Sequence, residues 1–160
     1  MSFATPDLSD ANPDLVRRCD LPFRDFGKRT HFEGKIRTIV TMEDTKLAKA
    51  LFQEPGNGDV IVVDGGGSMQ TALLGDIQAG ILSKNGWAGI LINGAVRDSA
   101  ELADIDLGVK ALGTCFTRPK QNGIGAVDIP VCFGRVLFEP GQYLYSDPDG
   151  VLVCDGPLSV

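Results

Sequence analysis

Asp59-Val60-Ile61-Val62-Val63-Asp64 and Ala88-Gly89-Ile90-Leu91-Ile92 are the two stretches that decide the fold of this 160-residue chain. Each is a short, continuous apolar run punctuated by turn residues. Pro55-Gly56-Asn57-Gly58 precedes the first and Gly65-Gly66-Gly67 ends it; Asn85-Gly86 precedes the second and Asn93-Gly94 ends it. Runs without polar alternation mark strands covered on both faces. Between them, residues 69–84 set Leu73, Leu74, Ile77, Ile81 and Leu82 on one helical face, which predicts a helix closed by Asn85-Gly86. Strand, helix and strand in that order predict a right-handed parallel βαβ unit whose strands end at one edge of the sheet.

Outward from this unit, residues 34–40 alternate polar and β-branched side chains and read as a strand with one solvated face. Residues 43–53 carry Leu47, Ala48, Leu51 and Phe52 at helical spacing. A short acidic helix is expected over 99–103 and a strand over 108–112. Near the N-terminus, Asp14-Leu15-Val16 reads as a short helix or a loop. The last third changes character, with short strands at 129–133, 135–138, 143–145 and 150–153. Glu139-Pro140-Gly141 and Asp147-Pro148-Asp149-Gly150 form the turns between them, and Asp147 and Asp149 read as turn residues. The pattern is antiparallel. The predicted fold is mixed α/β, with a parallel βαβ centre and a β-rich C-terminal layer.

Hydrophobic residues make up 43% and charged residues 22%, as in a globular domain with a full core. A net charge of −6 argues against a nucleic-acid surface. No apolar run reaches the roughly 18 residues of a membrane span, and no signal pattern opens the chain, so a soluble cytoplasmic protein is expected. Cys19, Cys115, Cys132 and Cys154 are scattered without a C-x-x-C pair and read as buried reduced thiols. His31, the sole histidine, reads as a turn or strand-edge residue. Metal chemistry here would have to use oxygen ligands.

The chemistry-bearing pattern is Gly75-Asp76, then twenty residues, then Arg97-Asp98. In a βαβ unit the triglycine loop and residues 93–98 are expected to face one crevice, where ligands of open α/β sheets bind. Glycines let backbone amides approach an anion, and a helix start adds positive potential. Arg97 can grip a carboxylate through two parallel hydrogen bonds. Asp98 is a hard ligand suited to Mg²⁺ or Mn²⁺. The plainer alternatives are a tight turn and a surface ion pair. Trp87 reads as core, and Glu101, Asp104 and Asp106 as a solvated acidic face.

Val62-Val63-Asp64-Gly65-Gly66-Gly67-Ser68, Ala72-Leu73-Leu74-Gly75-Asp76, Asn85-Gly86-Trp87-Ala88-Gly89 and Asn93-Gly94-Ala95-Val96-Arg97-Asp98 together resemble one family. It pairs class II 4-hydroxy-4-methyl-2-oxoglutarate aldolases with the regulator of ribonuclease E activity A. Asn122-Gly123-Ile124-Gly125, Pro140-Gly141 and residues 145–151 continue the match, which spans roughly residues 5–155.

The resemblance implies a single domain over 1–160, a β/β/α sandwich of the swivelling-domain type, and a homotrimer or dimer of trimers with sites between subunits. It implies divalent-metal-dependent cleavage of 4-hydroxy-4-methyl-2-oxoglutarate to two pyruvates, with oxaloacetate decarboxylation through the same pyruvate enolate. By position, the amides of Gly75, Asp76, Ile77 and Gln78 would meet substrate, Arg97 its carboxylate and Asp98 the metal. Asp76 would hold metal-bound water, which favours a loop ending near Gly75. Schiff-base chemistry would need a buried lysine, and Lys84 and Lys110 read as solvated. Lys28, Arg135 and Gln142 depart from the family pattern, away from the metal positions. The rival implication is a non-catalytic regulator that binds ribonuclease E.

Overall fold

The computed structural model describes residues 2–159. In chain order the elements are α1 (Thr5–Ala11), β1 (Arg17–Arg18), β2 (Arg24–Asp25), β3 (Phe32–Val40), α2 (Lys46–Phe52), β4 (Val60–Asp64), β5 (Ala72–Leu74), α3 (Asp76–Lys84), β6 (Gly89–Val96), α4 (Ser99–Leu102), β7 (Gly108–Thr114), β8 (Ala126–Val127), β9 (Val131–Phe133), β10 (Val136–Phe138), β11 (Tyr143–Asp147) and β12 (Gly150–Cys154). One large mixed sheet runs β1-β12-β11-β3-β4-β6-β7-β2, and β9 and β10 form a separate hairpin. The centre, β3-β4-β6-β7, is parallel, whereas β11 joins β3 and β12 in antiparallel register. The mixed α/β expectation, with a parallel centre and a β-rich end of the chain, is what the protein shows.

Alternate residues of the central strands feed two cores, which is why those strands are apolar throughout. Ile61, Val63, Ile90 and Ile92 face a core shared with Leu51 and Phe52 of α2 and Ala79 and Leu82 of α3. Val60, Val62 and Leu91 face the other way, against Phe133, Val136 and Phe138 of the hairpin. Trp87 lies in the helix-side core and donates its indole N–H to the Glu54 carbonyl at 3.0 Å, so it packs as expected.

Four sequence expectations change. Residues 69–84 are not one helix: Ala72–Leu74 is a strand, and α3 begins only at Asp76. The helix near the N-terminus lies at Thr5–Ala11, with Pro6 in its first turn, not at 14–16. Lys110 is not solvated. Its side chain is 2% exposed and lies 3.3 Å from Asp25, whose own carboxyl is pushed up by burial against the pull of that lysine. The cause is strand alternation: Val109 and Ala111 enter the helix-side core, so Lys110 must point through the opposite face. Of the cysteines, Cys19 and Cys154 are buried and free, but Cys132 is exposed, turned outward between inward-facing Val131 and Phe133.

Two local arrangements bear on stability. Asp147 ends β11 as a buried turn residue, accepting the amides of Asp149 (2.9 Å) and Gly150 (3.2 Å). It also takes the Thr5 amide (2.6 Å) and hydroxyl (2.7 Å), tying α1 to the sheet. Burial raises this carboxyl, but the Thr5 and turn donors outweigh it and hold it below the usual range. Arg135 turns the β9–β10 hairpin at φ +63°, beside Gly134 at φ +58°, so a side chain sits in left-handed backbone that glycine adopts without cost.

Asp147→Ala is expected to lower stability by about 2 kcal/mol at pH 7 in chemical denaturation. A depressed folded-state pKa stabilises above the unfolded value of about 3.9 and ceases to do so as pH falls through the folded value. The gap between wild type and variant should therefore close in acid. Arg135→Gly is expected to raise stability by about 1 kcal/mol by relieving the left-handed strain.

Candidate active site

The chain reaches the site by leaving the sheet and coming back to it. β4 pairs with the first half of β6 as far as Asp64 opposite Asn93. The triglycine loop then loops out, and β5 resumes parallel pairing with the second half of the same strand, Ala72 opposite Ala95 and Leu74 opposite Val96. Bulges break the register on both sides of this part of β6, a common device for re-aiming side chains near a site. The Arg97 amide donates to the Leu74 carbonyl at 2.9 Å, so Gly75-Asp76 and Arg97-Asp98 emerge side by side.

Asp98 has left-handed backbone, φ +56° and ψ +45°, which swings its carboxylate toward Gly75 rather than onto its own helix α4. Oδ2 accepts the Asp76 amide at 3.2 Å. A Cβ on Gly75 would lie 2.7 Å from that same Oδ2 and 3.2 Å from Cγ of Arg97, so any side chain here would push the Asp98 carboxylate aside. Asp76 opens α3, and its Oδ1 accepts the Ile77 amide at 2.8 Å. Arg97 Nε stands 3.6 Å from Asp98 Oδ1, too long for a hydrogen bond, and both side chains are 31% exposed. The guanidinium makes no hydrogen bond with the described residues.

These residues line one open cleft of about 580 Å³, together with Gly75, Ile77 and Gln78. All six residues singled out in the sequence are thus gathered in one place. The triglycine loop is not among them. Its amides are spent locally: Gly65 and Gly67 donate to the Asn93 carbonyl and Gly66 to Asp64. The start of α3 is the cleft's amide-bearing element, and there the Asp76 and Ile77 N–H groups already serve carboxylates. Glu101, Asp104 and Asp106 are exposed outside the cleft, and Lys110 lines a different hollow beside Asp20 and Asp149.

Among the described residues no three His, Cys, Asp or Glu side chains cluster in a metal-binding group. The donors that face the cleft are two hard carboxylates, Asp76 and Asp98, without a thiol or imidazole. Such a set fits a cation that keeps much of its water, as magnesium does. The opposite wall was not foreseen: Thr45 and Lys49 at α2, and Arg118, Pro119 and Gln121 after β7. Asp44 builds it. This buried carboxylate accepts the amides of Lys46 (3.1 Å), Asn122 and Gly123 (3.1 Å), joining two loops distant in sequence. Burial raises the Asp44 carboxyl, yet those amides together hold it below the usual range. Only the Asn122-Gly123-Ile124-Gly125 motif hinted at this wall.

A family model described as RraA-like, Aldolase/RraA, matches residues 5–153. Proteins named "Putative 4-hydroxy-4-methyl-2-oxoglutarate aldolase" from Pseudomonas syringae pv. tomato and from Azotobacter vinelandii are each 46% identical over 160 residues, 100% of this chain and 99% of theirs. Among solved structures, the RNA-processing inhibitor RraA from Thermus thermophilus superposes with a TM-score of 0.95 at 40% identity, over 99% of this chain and 96% of that one. A protein described as S-adenosylmethionine:2-dimethylmenaquinone methyltransferase from Geobacillus kaustophilus does so with a TM-score of 0.96 at 43% identity, over 98% and 97%. The model's match over most of the chain, and relatives this similar end to end, mean that the chain belongs to the RraA-like Aldolase/RraA family.

Proposed function

We propose that the protein cleaves carbon–carbon bonds next to an α-keto acid: 4-hydroxy-4-methyl-2-oxoglutarate to two pyruvates, and oxaloacetate to pyruvate and CO₂. The names carried by its relatives differ in activity, so the side chains must decide between them. The observation that carries the reading is the convergence of Asp76, Arg97 and Asp98 on one cleft at the start of α3.

Arg97 would hold the keto-acid carboxylate through its free guanidinium edge. The positive end of α3 would lie beside the same anion. Asp98 would carry a divalent cation, Mg²⁺ or Mn²⁺, with Asp76 holding its bound water. That cation would supply Lewis-acid polarisation of the keto group. When the carbon–carbon bond breaks, its electron pair remains on the pyruvate fragment as an enolate. In the aldol cleavage the C4 hydroxyl gives up its proton to a base as it becomes the keto group of the other pyruvate, and in both reactions a proton taken up at the enolate carbon completes pyruvate. Arg97 and the positive end of α3 would then stabilise charge that grows during the step, which is where binding accelerates reaction. The one lysine lining the cleft, Lys49, is exposed, and buried Lys110 lies elsewhere, so a desolvated Schiff-base lysine has no counterpart here. In the homotrimer or dimer of trimers that the family resemblance implies, a neighbouring copy would cover Ile77, which is 74% exposed at the cleft.

A regulator reading rests on a separate observation, the likeness to the Thermus RNA-processing inhibitor. It requires only surface. Micromolar binding to ribonuclease E with slowed RNA cleavage would support it; absence of binding would remove it.

Pyruvate release, followed through lactate dehydrogenase, is expected with both substrates and should stop on chelation. Arg97→Ala and Asp98→Ala should each lower kcat/KM by at least about a hundredfold, in line with the loss of a charged transition-state contact. Rates equal to wild type would dismiss the site. Gly75→Ala should fold, as judged by circular dichroism, yet lose activity comparably, because its methyl group displaces the Asp98 carboxylate.

A further inference from the structure

The wall opposite Arg97 holds the feature that the proposed chemistry leaves unused. Arg118 faces the cleft and makes no ion pair with any described residue; neither does Lys49 beside it. The cleft is lined by three cations, Lys49, Arg97 and Arg118, against two carboxylates, in a chain whose net charge is −6. A positive excess inside an acidic protein is not an average of its surface.

The backbone beneath Arg118 is fixed. On one side, the Thr117 carbonyl accepts the Ala72 amide of β5 at 2.9 Å. On the other, Lys120 exchanges hydrogen bonds with the loop before α2, donating to Glu43 at 2.9 Å and accepting from Thr45 at 3.0 Å. Gln121 reinforces this by donating to the Thr45 hydroxyl at 2.6 Å. Pro119 restricts the chain between these ties. A guanidinium carried on so constrained a segment, and without an ion-pair partner among the described residues, is prepared for an anion from outside.

We infer that Arg118, helped by Lys49, binds the second carboxylate of a 2-keto dicarboxylic acid, so that the cleft selects dicarboxylates over pyruvate-like monocarboxylates. The inference rests on the keto-acid reading above, in which Arg97 takes the first carboxylate. It also separates the two reactions. In retro-aldol cleavage of 4-hydroxy-4-methyl-2-oxoglutarate the distal carboxylate keeps its charge and departs on the second pyruvate. In oxaloacetate decarboxylation the corresponding carboxylate loses its charge: its carbon–carbon bond breaks, the pair stays on the pyruvate methylene and neutral CO₂ leaves. An arginine holding that group stabilises the ground state more than the transition state, and its loss should raise KM without lowering kcat.

The test is Arg118→Gln, with Arg118→Lys as the conservative partner. No hydrogen bond or ion pair of this side chain with the described residues is broken, so thermal unfolding should match wild type. The KM for 4-hydroxy-4-methyl-2-oxoglutarate should rise about tenfold or more, as expected for a lost charge-assisted pair. The oxaloacetate KM should rise similarly with kcat not reduced, pyruvate should inhibit as before, and Lys should recover part of the loss. An unchanged KM, or equal weakening of pyruvate and dicarboxylates, overturns the inference while leaving the aldolase reading intact. Should wild type turn over neither substrate, that reading fails and calorimetric titration decides. A preference for 2-oxoglutarate over pyruvate that vanishes in Arg118→Gln supports the dicarboxylate site; no preference in wild type refutes it.

Discussion

Everything at the candidate site depends on one close approach, that of the Asp98 carboxylate to the backbone at Gly75. Oδ2 sits where a side chain on residue 75 would have to go, and accepts the amide of residue 76. That contact requires a glycine at 75, a left-handed residue at 98 and adjacent strand ends beneath both. The first is met by sequence and the third by the pairing of β5 with the tail of β6. The second costs about 1 kcal/mol of backbone strain, tolerable for an aspartate whose side chain gains a hydrogen bond at a helix start. A carboxylate aimed in this way is held in place before any ligand arrives.

The return of the chain to β6 does more than bring two segments together. Had residues 65–75 stayed outside the sheet, α3 would still pack on the core through Ala79 and Leu82, but its first turn would start from a free loop. Three residues of strand suffice to anchor its start, because Ala72, Leu73 and Leu74 are buried and β5 pairs with the same β6 that leads into Arg97. The glycine loop has a structural duty. Wrapped around the Asn93 carbonyl and capped by Asp64, it closes the gap between β4 and β5, with Gly66 and Gly67 at φ +65° and +71°. Its glycines serve the turn, not an anion.

How much of this was legible follows from which interactions are local. The central strands could be read because burial on both faces leaves a continuous apolar run, a signal that needs no knowledge of partners. Arg97-Asp98 could be placed at the sheet edge because a βαβ unit ends both strands there, but that reading set the triglycine loop beside it, and Gly75-Asp76 came to the same edge only through the family resemblance. β5 could not be read, since Leu73 and Leu74 fall in phase with Ile77 and Ile81 and extend the helical pattern backward. Only pairing with β6, a tertiary fact, makes them a strand. Lys110 failed for a related reason: a lysine in an apolar strand reads as solvated unless Asp25, far away in sequence, is known to face it. Asp44 is harder still, since its partners are backbone amides of residues 46, 122 and 123, which leave no trace in side-chain pattern.

The two walls of the cleft are therefore built on different principles, and this bears on how one fold could serve relatives with different names. The Arg97 wall is part of the sheet and its following helix, so its geometry is tied to the core and changes only if the core does. The Arg118 wall consists of loops held by the Asp44 clamp and a few backbone bonds, in a region where side chains are exposed and substitution is cheap. A catalytic centre placed on the first wall can persist while the second is altered to accept other anions or, with the carboxylates lost, a protein partner. In this chain the first wall keeps both carboxylates and its arginine, and the second presents two cations, Lys49 and Arg118, without an ion pair among the described residues. That combination suits a small, doubly charged acid better than a flat macromolecular surface.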